Sequence, residues 1–141
     1  MRTATLDDLI EDFDLFDDRK ERLQYVLELG DHVEGLPDEL KVEENRVQGC
    51  LSNVWMVAEI RPGSPPIMEF RADSDSHVVR GLIAILIMLC SGKSPEEIHK
   101  LDLSDVFQRL KLAEGSLRSR SNGFHQMIKR IQRLAEENAG T

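Results

Sequence analysis

The sequence predicts an α+β fold in which a small antiparallel sheet of about three strands packs against several helices. Three observations carry that expectation. Apolar residues recur at helical spacing through the first 44 positions, residues 45–72 switch to β-rich composition and period two, and helical spacing returns from Ser76 onward.

Each element has its own signals. Thr5 or Asp7 can cap a first helix carrying Leu6, Leu9, Ile10 and Phe13. Asp17 opens a second, with Leu23, Val26, Leu27, Gly30 and Val33 on one stripe, and Gly35 and Pro37 end it. Residues 38–44 are polar and read as irregular or a single turn. Arg46, Val47 and Gln48 make a short extended piece. Residues 54–60, rich in β-branched and aromatic side chains, read as a strand. "RPGSPP" at 61–66 is a loop by composition, and residues 67–72 alternate as the third strand. One face of this sheet is expected on the helices and the other mostly in water. The helix expected from Ser76 to Ser91 is apolar nearly all round after Gly81, which places it at the centre of the fold, and Gly92 ends it. Ser94-Pro95-Glu96-Glu97 is a capping box with proline at the first helical position, so another helix starts there. Residues 102–110 give a short turn or helix. A last helix over about 122–138 turns Phe124, Met127, Ile128, Ile131, Leu134 and Ala135 inward.

The chain has 141 residues, enough for one domain, expected over 1–141, with a sizeable core. Hydrophobic content of 40% and charged content of 31% are those of an ordinary globular protein. The net charge of −8 argues against nucleic acid as the main partner, because phosphate binding needs clustered lysine and arginine. The charge is uneven: residues 1–44 hold fifteen acidic and five basic side chains, residues 116–141 five basic and two acidic. Two solvated helical faces of opposite sign account for this, with a docking surface as the alternative. Met1-Arg2-Thr3-Ala4 leads straight into an acidic amphipathic segment, unlike a secretory signal. The longest apolar run, residues 82–90, has nine residues, whereas a membrane span needs roughly 20. Two cysteines in dissimilar surroundings do not make a disulfide framework, so a reducing cytoplasm is the expected location.

The stretch "NRVQGCLSNVW" at 45–55 holds the first candidate for chemistry. Cys50 follows Gly49, which can take positive φ, in a connection between strands that can turn a side chain toward solvent. An accessible thiol can ionise, and the thiolate is the nucleophile; the alternative is a small hydrophobe at a strand end. Cys90 closes the apolar helix and reads as core. Cys50, Cys90, His32, His77, His99 and His125 match no metal-ligand spacing, and nothing local supplies a histidine for a Cys–His hydrolase. In "ADSDSHVVRG" at 72–81, Asp73, Ser74, Asp75 and Ser76 crowd the start of the central helix as caps, or as groups that tune a nearby thiolate. In "LRSRSNGF" at 117–124, Ser121 or Asn122 can cap the last helix. Arg118 and Arg120 are either solvated or carried back to Cys50, where a guanidinium would favour an anionic sulfur.

Together these segments resemble the SufE family of sulfur-acceptor proteins. The matching pieces are "NRVQGCLSNVW", "ADSDSHVVRGL", "SGKSPEEI" and "SRSNGF", with "LELG" and "LP" upstream, in the family's order over roughly residues 20–135. The resemblance implies a compact α+β domain similar to iron–sulfur scaffold proteins of the NifU type. It implies that Cys50 is the essential cysteine, accepting sulfane sulfur from a pyridoxal-phosphate-dependent cysteine desulfurase of the SufS type and stimulating that enzyme. An iron–sulfur scaffold complex would receive the sulfur. Asp75 and Arg120 match family positions near the cysteine loop or the partner surface. No cofactor or metal is implied in this chain itself, pyridoxal phosphate belonging to the partner, and a homodimer is compatible with the pattern. Leu51 departs from the polar residue that many members carry after the cysteine. The loop is expected to have two positions, one tucked against Trp55 and the central helix and one extended into the partner, with Gly49 as hinge. The alternative function is an assembly scaffold or binding module of NifU-like fold without persulfide transfer, although a cluster normally needs three or more ligands.

Overall fold

The apolar run that the sequence places at the centre forms a helix over His77–Cys90, whose first turn is capped by Ser76 Oγ accepting the Val79 N–H. From Gly81 to Cys90 every residue but Ile87 is buried. In this computed structural model residues 3–113 and 115–139 are described, and the ends of the expected 1–141 unit lie outside them. Among these residues the elements run α1 (Leu6–Asp14), α2 (Arg19–Asp31), β1 (Val54–Arg61), β2 (Ile67–Ser74), α3 (His77–Cys90), α4 (Pro95–Lys100), α5 (Val106–Arg109) and α6 (Ser121–Asn138). Helices segregate to one face of an antiparallel sheet, the α+β arrangement that the alternation of periods predicts.

Local chemistry sets the helix ends. Thr5, the first of the two expected caps, forms a capping box with Asp8, and Ser94 forms another with Glu97. Asp18, one residue later than expected, caps α2 by accepting from Lys20 N–H at 2.9 Å. α2 buries Val26, Leu29 and Gly30 against α3. The two helices meet at glycines: a Cβ on Gly30 would lie 2.8 Å from Gly81 N, and one on Gly81 would run into the Val26 carbonyl. Backbone against backbone is possible only because neither position carries a side chain. α6 covers the far side of the core with Phe124, Met127, Ile128, Ile131 and Ala135 buried, while Leu134 is half-buried.

The sheet corrects one expectation. It has two strands, paired from Val54↔Ser74 to Arg61↔Ile67, rather than about three. The expected first strand contributes only the bridge Arg46↔Trp55 and the Val47 N–H to Val54 carbonyl bond of 2.8 Å. A 3₁₀ turn over Glu43–Asn45 precedes it and Gly49 turns left-handed at φ +84° just after it, so no room is left for a ladder. The inner face presents Val54, Met56, Met68, Phe70 and Ala72 to α3. The outer face is less wet than alternation suggests. Residues 35–41 cross it above Asp73, whose carboxylate accepts from Leu36 N at 3.1 Å and Ser74 N at 2.8 Å and faces Lys41 Nζ at 3.3 Å. Burial opposes ionisation of Asp73, but those two amides and Lys41 outweigh it and hold the carboxyl below its ordinary value.

Candidate functional site

Residues 48–53 form the loop that enters β1, and its base is closed by the Val47–Val54 hydrogen bond. Gly49 occupies the left-handed region, where a side chain would be strained and would press on Gln126 at 3.1 Å. The turn sends consecutive side chains opposite ways. Cys50 folds back onto the body of the protein and is half-buried, whereas Leu51 is 94% exposed.

Five side-chain hydrogen bonds from two distant parts of the chain hold the loop in place. Asp75 accepts from Asn53 twice, at 3.2 Å from the backbone N–H and at 2.9 Å from Nδ2. Ser74 Oγ donates to the Asn53 carbonyl at 2.7 Å, so the junction of β2 and α3 grips the end of the loop. From the start of α6, Arg120 Nη1 donates to Ser52 Oγ at 3.0 Å and Asn122 Nδ2 to the Gly49 carbonyl at 3.2 Å. Of the residues crowding the start of α3, only Ser76 caps it; Asp73 holds the crossing segment, and Ser74 and Asp75 hold the loop. Neither Ser121 nor Asn122 caps α6, because that helix continues directly from a 3₁₀ stretch over Gly115–Arg120, which frees the Asn122 amide for Gly49.

Cys50 sits at the rim of a cavity of about 180 Å³ between the loop, α3 and α6. Val54, Val79, Leu82, Phe124 and Met127 give it apolar walls, and Arg120 and Asn122 stand among its polar lining. The thiol points to the Gly123 carbonyl, with an S···O distance of 3.6 Å. Burial pushes the thiol pKa up, and the positive charge of Arg46 opposes that rise. In this position Cys50 is therefore held in its protonated, weakly nucleophilic form. Cys90 is fully buried, and burial pushes its thiol up to about 12 despite Lys93.

The structure thus brings Cys50 and Arg120 to one cavity and sets Asp75, at the junction of β2 and α3, against the end of the same loop, where it touches Asn53. The cation whose charge opposes the rise in the thiol pKa is Arg46, four residues upstream, while Arg120 is engaged with Ser52. Trp55 takes no part in the tucked arrangement: strand alternation turns Val54 to the cavity and Trp55 to the outer face, where Lys41 Nζ lies 5.8 Å from its ring centroid. Sequence reasoning passed over Arg46, Ser52, Asn53 and Asn122. Arg46 was the one with a local signal, a cation in the same short stretch as the thiol. Among the described residues no group of three or more His, Cys, Asp and Glu gathers where it could hold a metal ion, and no helix is long and apolar enough to cross a membrane.

Fold and site define a class: an α+β domain that presents one thiol on a braced loop between its sheet and its last helix. Comparison with known proteins agrees. The SufE family, described as an Fe-S metabolism associated domain, matches residues 7–135. A SufE-like protein of Rhizobium etli is 44% identical over 138 residues, covering 96% of this chain and 93% of the relative. Another from Rhizobium meliloti is 40% identical over 134 residues, covering 94% and 96%. The solution structure of a hypothetical protein from Thermus thermophilus shares the fold, with a TM-score of 0.77 over 100% of both chains at 20% identity. The chain belongs to the SufE family, and so to iron–sulfur metabolism.

Proposed function

We propose that this protein accepts sulfane sulfur on Cys50 as a persulfide from a SufS-type, pyridoxal-phosphate-dependent cysteine desulfurase, stimulates that enzyme by relieving it of its sulfur, and passes the sulfur to an iron–sulfur scaffold. Family membership supports a sulfur-transfer role beside a cysteine desulfurase. The observation that carries the finer reading is the placement of Cys50, a thiol on a loop at the rim of an apolar cavity, in a chain whose other thiol is locked in the core.

Transfer is thiol exchange. The Cys50 thiolate attacks the outer sulfur of the partner's cysteine persulfide, a new S–S bond forms at Cys50, the partner's S–S bond breaks, and the partner's thiolate leaves with the electron pair. The step is redox-neutral, and the proton lost by Cys50 is balanced by the one the leaving thiolate can take. Swinging outward about Gly49 takes the thiol out of its desolvated position, which restores its acidity where the partner's persulfide waits. Tucked back, the persulfide is shielded from bulk water by the cavity walls. Asp75 and Arg120 act as positioning residues that hold the two flanks of the loop.

Incubation with a SufS-type desulfurase and cysteine, followed by intact mass before and after reduction, tests this. Wild type and Cys90→Ala are expected to gain reducible adducts of about 32 Da, and Cys50→Ser none. Adducts that persist in Cys50→Ser would sink the proposal. In the same assay Arg120→Ala, which loses one hydrogen bond worth about 1 kcal/mol, should fold yet take up sulfur several-fold more slowly.

A further inference from the structure

Beside the Cys50 loop, α6 and the segment entering the loop enclose a groove of about 220 Å³ lined by Arg46, Gln48, Gln126, Lys129, Arg130 and Arg133. Four cations thus meet in one concavity of a chain whose net charge is −8. Among the described residues two carboxylates answer them, Glu43 at 3.5 Å from Arg46 and Glu137 at 3.7 Å from Arg133. Arg130 reaches inward to the carbonyls of Met56 at 3.1 Å and Glu44 at 3.4 Å, which are dipoles and not charges. Its Nε and that of Arg46 are buried without a hydrogen-bond partner. Burial, followed by repulsion from Arg133, makes the Arg130 charge unfavourable and lowers its pKa. Arg46 and Arg130 differ in this from a solvated basic face, whose guanidinium groups stand in water as that of Arg133 does.

Cations that are desolvated and incompletely paired gain most from a carboxylate that arrives already positioned. We infer that this groove docks an acidic segment of the cysteine desulfurase, aligning it with the neighbouring Cys50. The inference rests on the reading of Cys50 as a sulfur acceptor. The charge pattern also explains the polarity of the chain: the basic helix α6 faces the partner, while the acidic excess of residues 1–44 repels wrongly oriented encounters.

Lys129 and Arg133 are exposed on α6, so their charges can be reversed with little effect on folding. In titrations against a SufS-type desulfurase, the double variant Lys129→Glu/Arg133→Glu should bind about tenfold or more weakly than wild type. Wild-type affinity should fall with rising salt and that of the variant should change much less. An equal charge change elsewhere, Lys20→Glu/Lys100→Glu, should weaken binding far less. Should the double variant fail to fold, Lys129→Gln and Arg133→Gln singly carry the same expectation with smaller shifts. Unchanged affinity in the groove variants, or an equal loss in the control, overturns the inference while leaving the role of Cys50 intact. A wild type that takes no sulfur from the desulfurase removes the reading of Cys50, and the docking inference with it.

Discussion

The two thiols of this protein are the same group in opposite situations. Cys90 ends α3 inside the core, where no water reaches it and burial pushes its pKa up to about 12. Cys50 also has a raised pKa, but it stands on a loop at a cavity rim with Arg46 opposing the rise. The difference is one of reversibility. Cys90 can gain solvent only if the core opens, at a cost approaching the stability of the whole protein. Cys50 needs only a loop to move, held by a handful of hydrogen bonds worth about 1 kcal/mol each. Burial is a fixed property of one sulfur and a removable property of the other.

Alkylation kinetics should expose that contrast most strongly. Iodoacetamide should modify Cys50 at least about a hundredfold faster than Cys90 in the native protein, because Cys90 must wait for opening. The Cys50 rate should climb about tenfold per pH unit through the neutral range, since its raised pKa lies above it. Equal rates, read by peptide mass, would show that the core does not protect Cys90. A smaller effect is expected from Asp75→Ala, which removes both side-chain bonds to Asn53 and leaves the backbone one. Cys50 should then react about three- to tenfold faster as its loop loosens, with Cys90 unchanged. A matching rise at Cys90 would mean that the substitution destabilises the whole fold. The smallest effect belongs to Arg46→Gln. Removing a cation that lowers the Cys50 pKa raises it further, so the alkylation rate at neutral pH should fall about twofold, and the difference should fade in high salt.

Much of this arrangement was legible in the sequence for a physical reason: the signals involved are local. Helix caps at Thr5, Ser76 and Ser94, the apolar run of α3, and a thiol after a turn-forming glycine all act within a few residues. The expected first strand, Arg46 to Gln48, was misread because two or three extended residues look alike whether or not a ladder follows, and here turns on both sides stop it. Trp55 was placed on the wrong face because strand parity depends on register, and one position exchanges the inside for the outside. The braces of the loop were the least legible part. Arg120 meets Ser52 across 68 positions and Asn122 meets Gly49 across 73, distances over which periodicity says nothing. Asp75 and Arg120 stood out in their own motifs and matched family positions, but neither signal gave the atoms they touch.

The glycine contact between α2 and α3 reaches further than its size suggests. Gly81 lies about one and a half turns from Ser76, so the end of α3 that leads to Asp75 is steered by how closely its axis approaches α2. Even a methyl group on Gly81 would meet the Val26 carbonyl and lever that end outward, carrying the grip on Asn53 with it. The precision of the sulfur loop is therefore borrowed from two missing side chains in a helix crossing that never touches it.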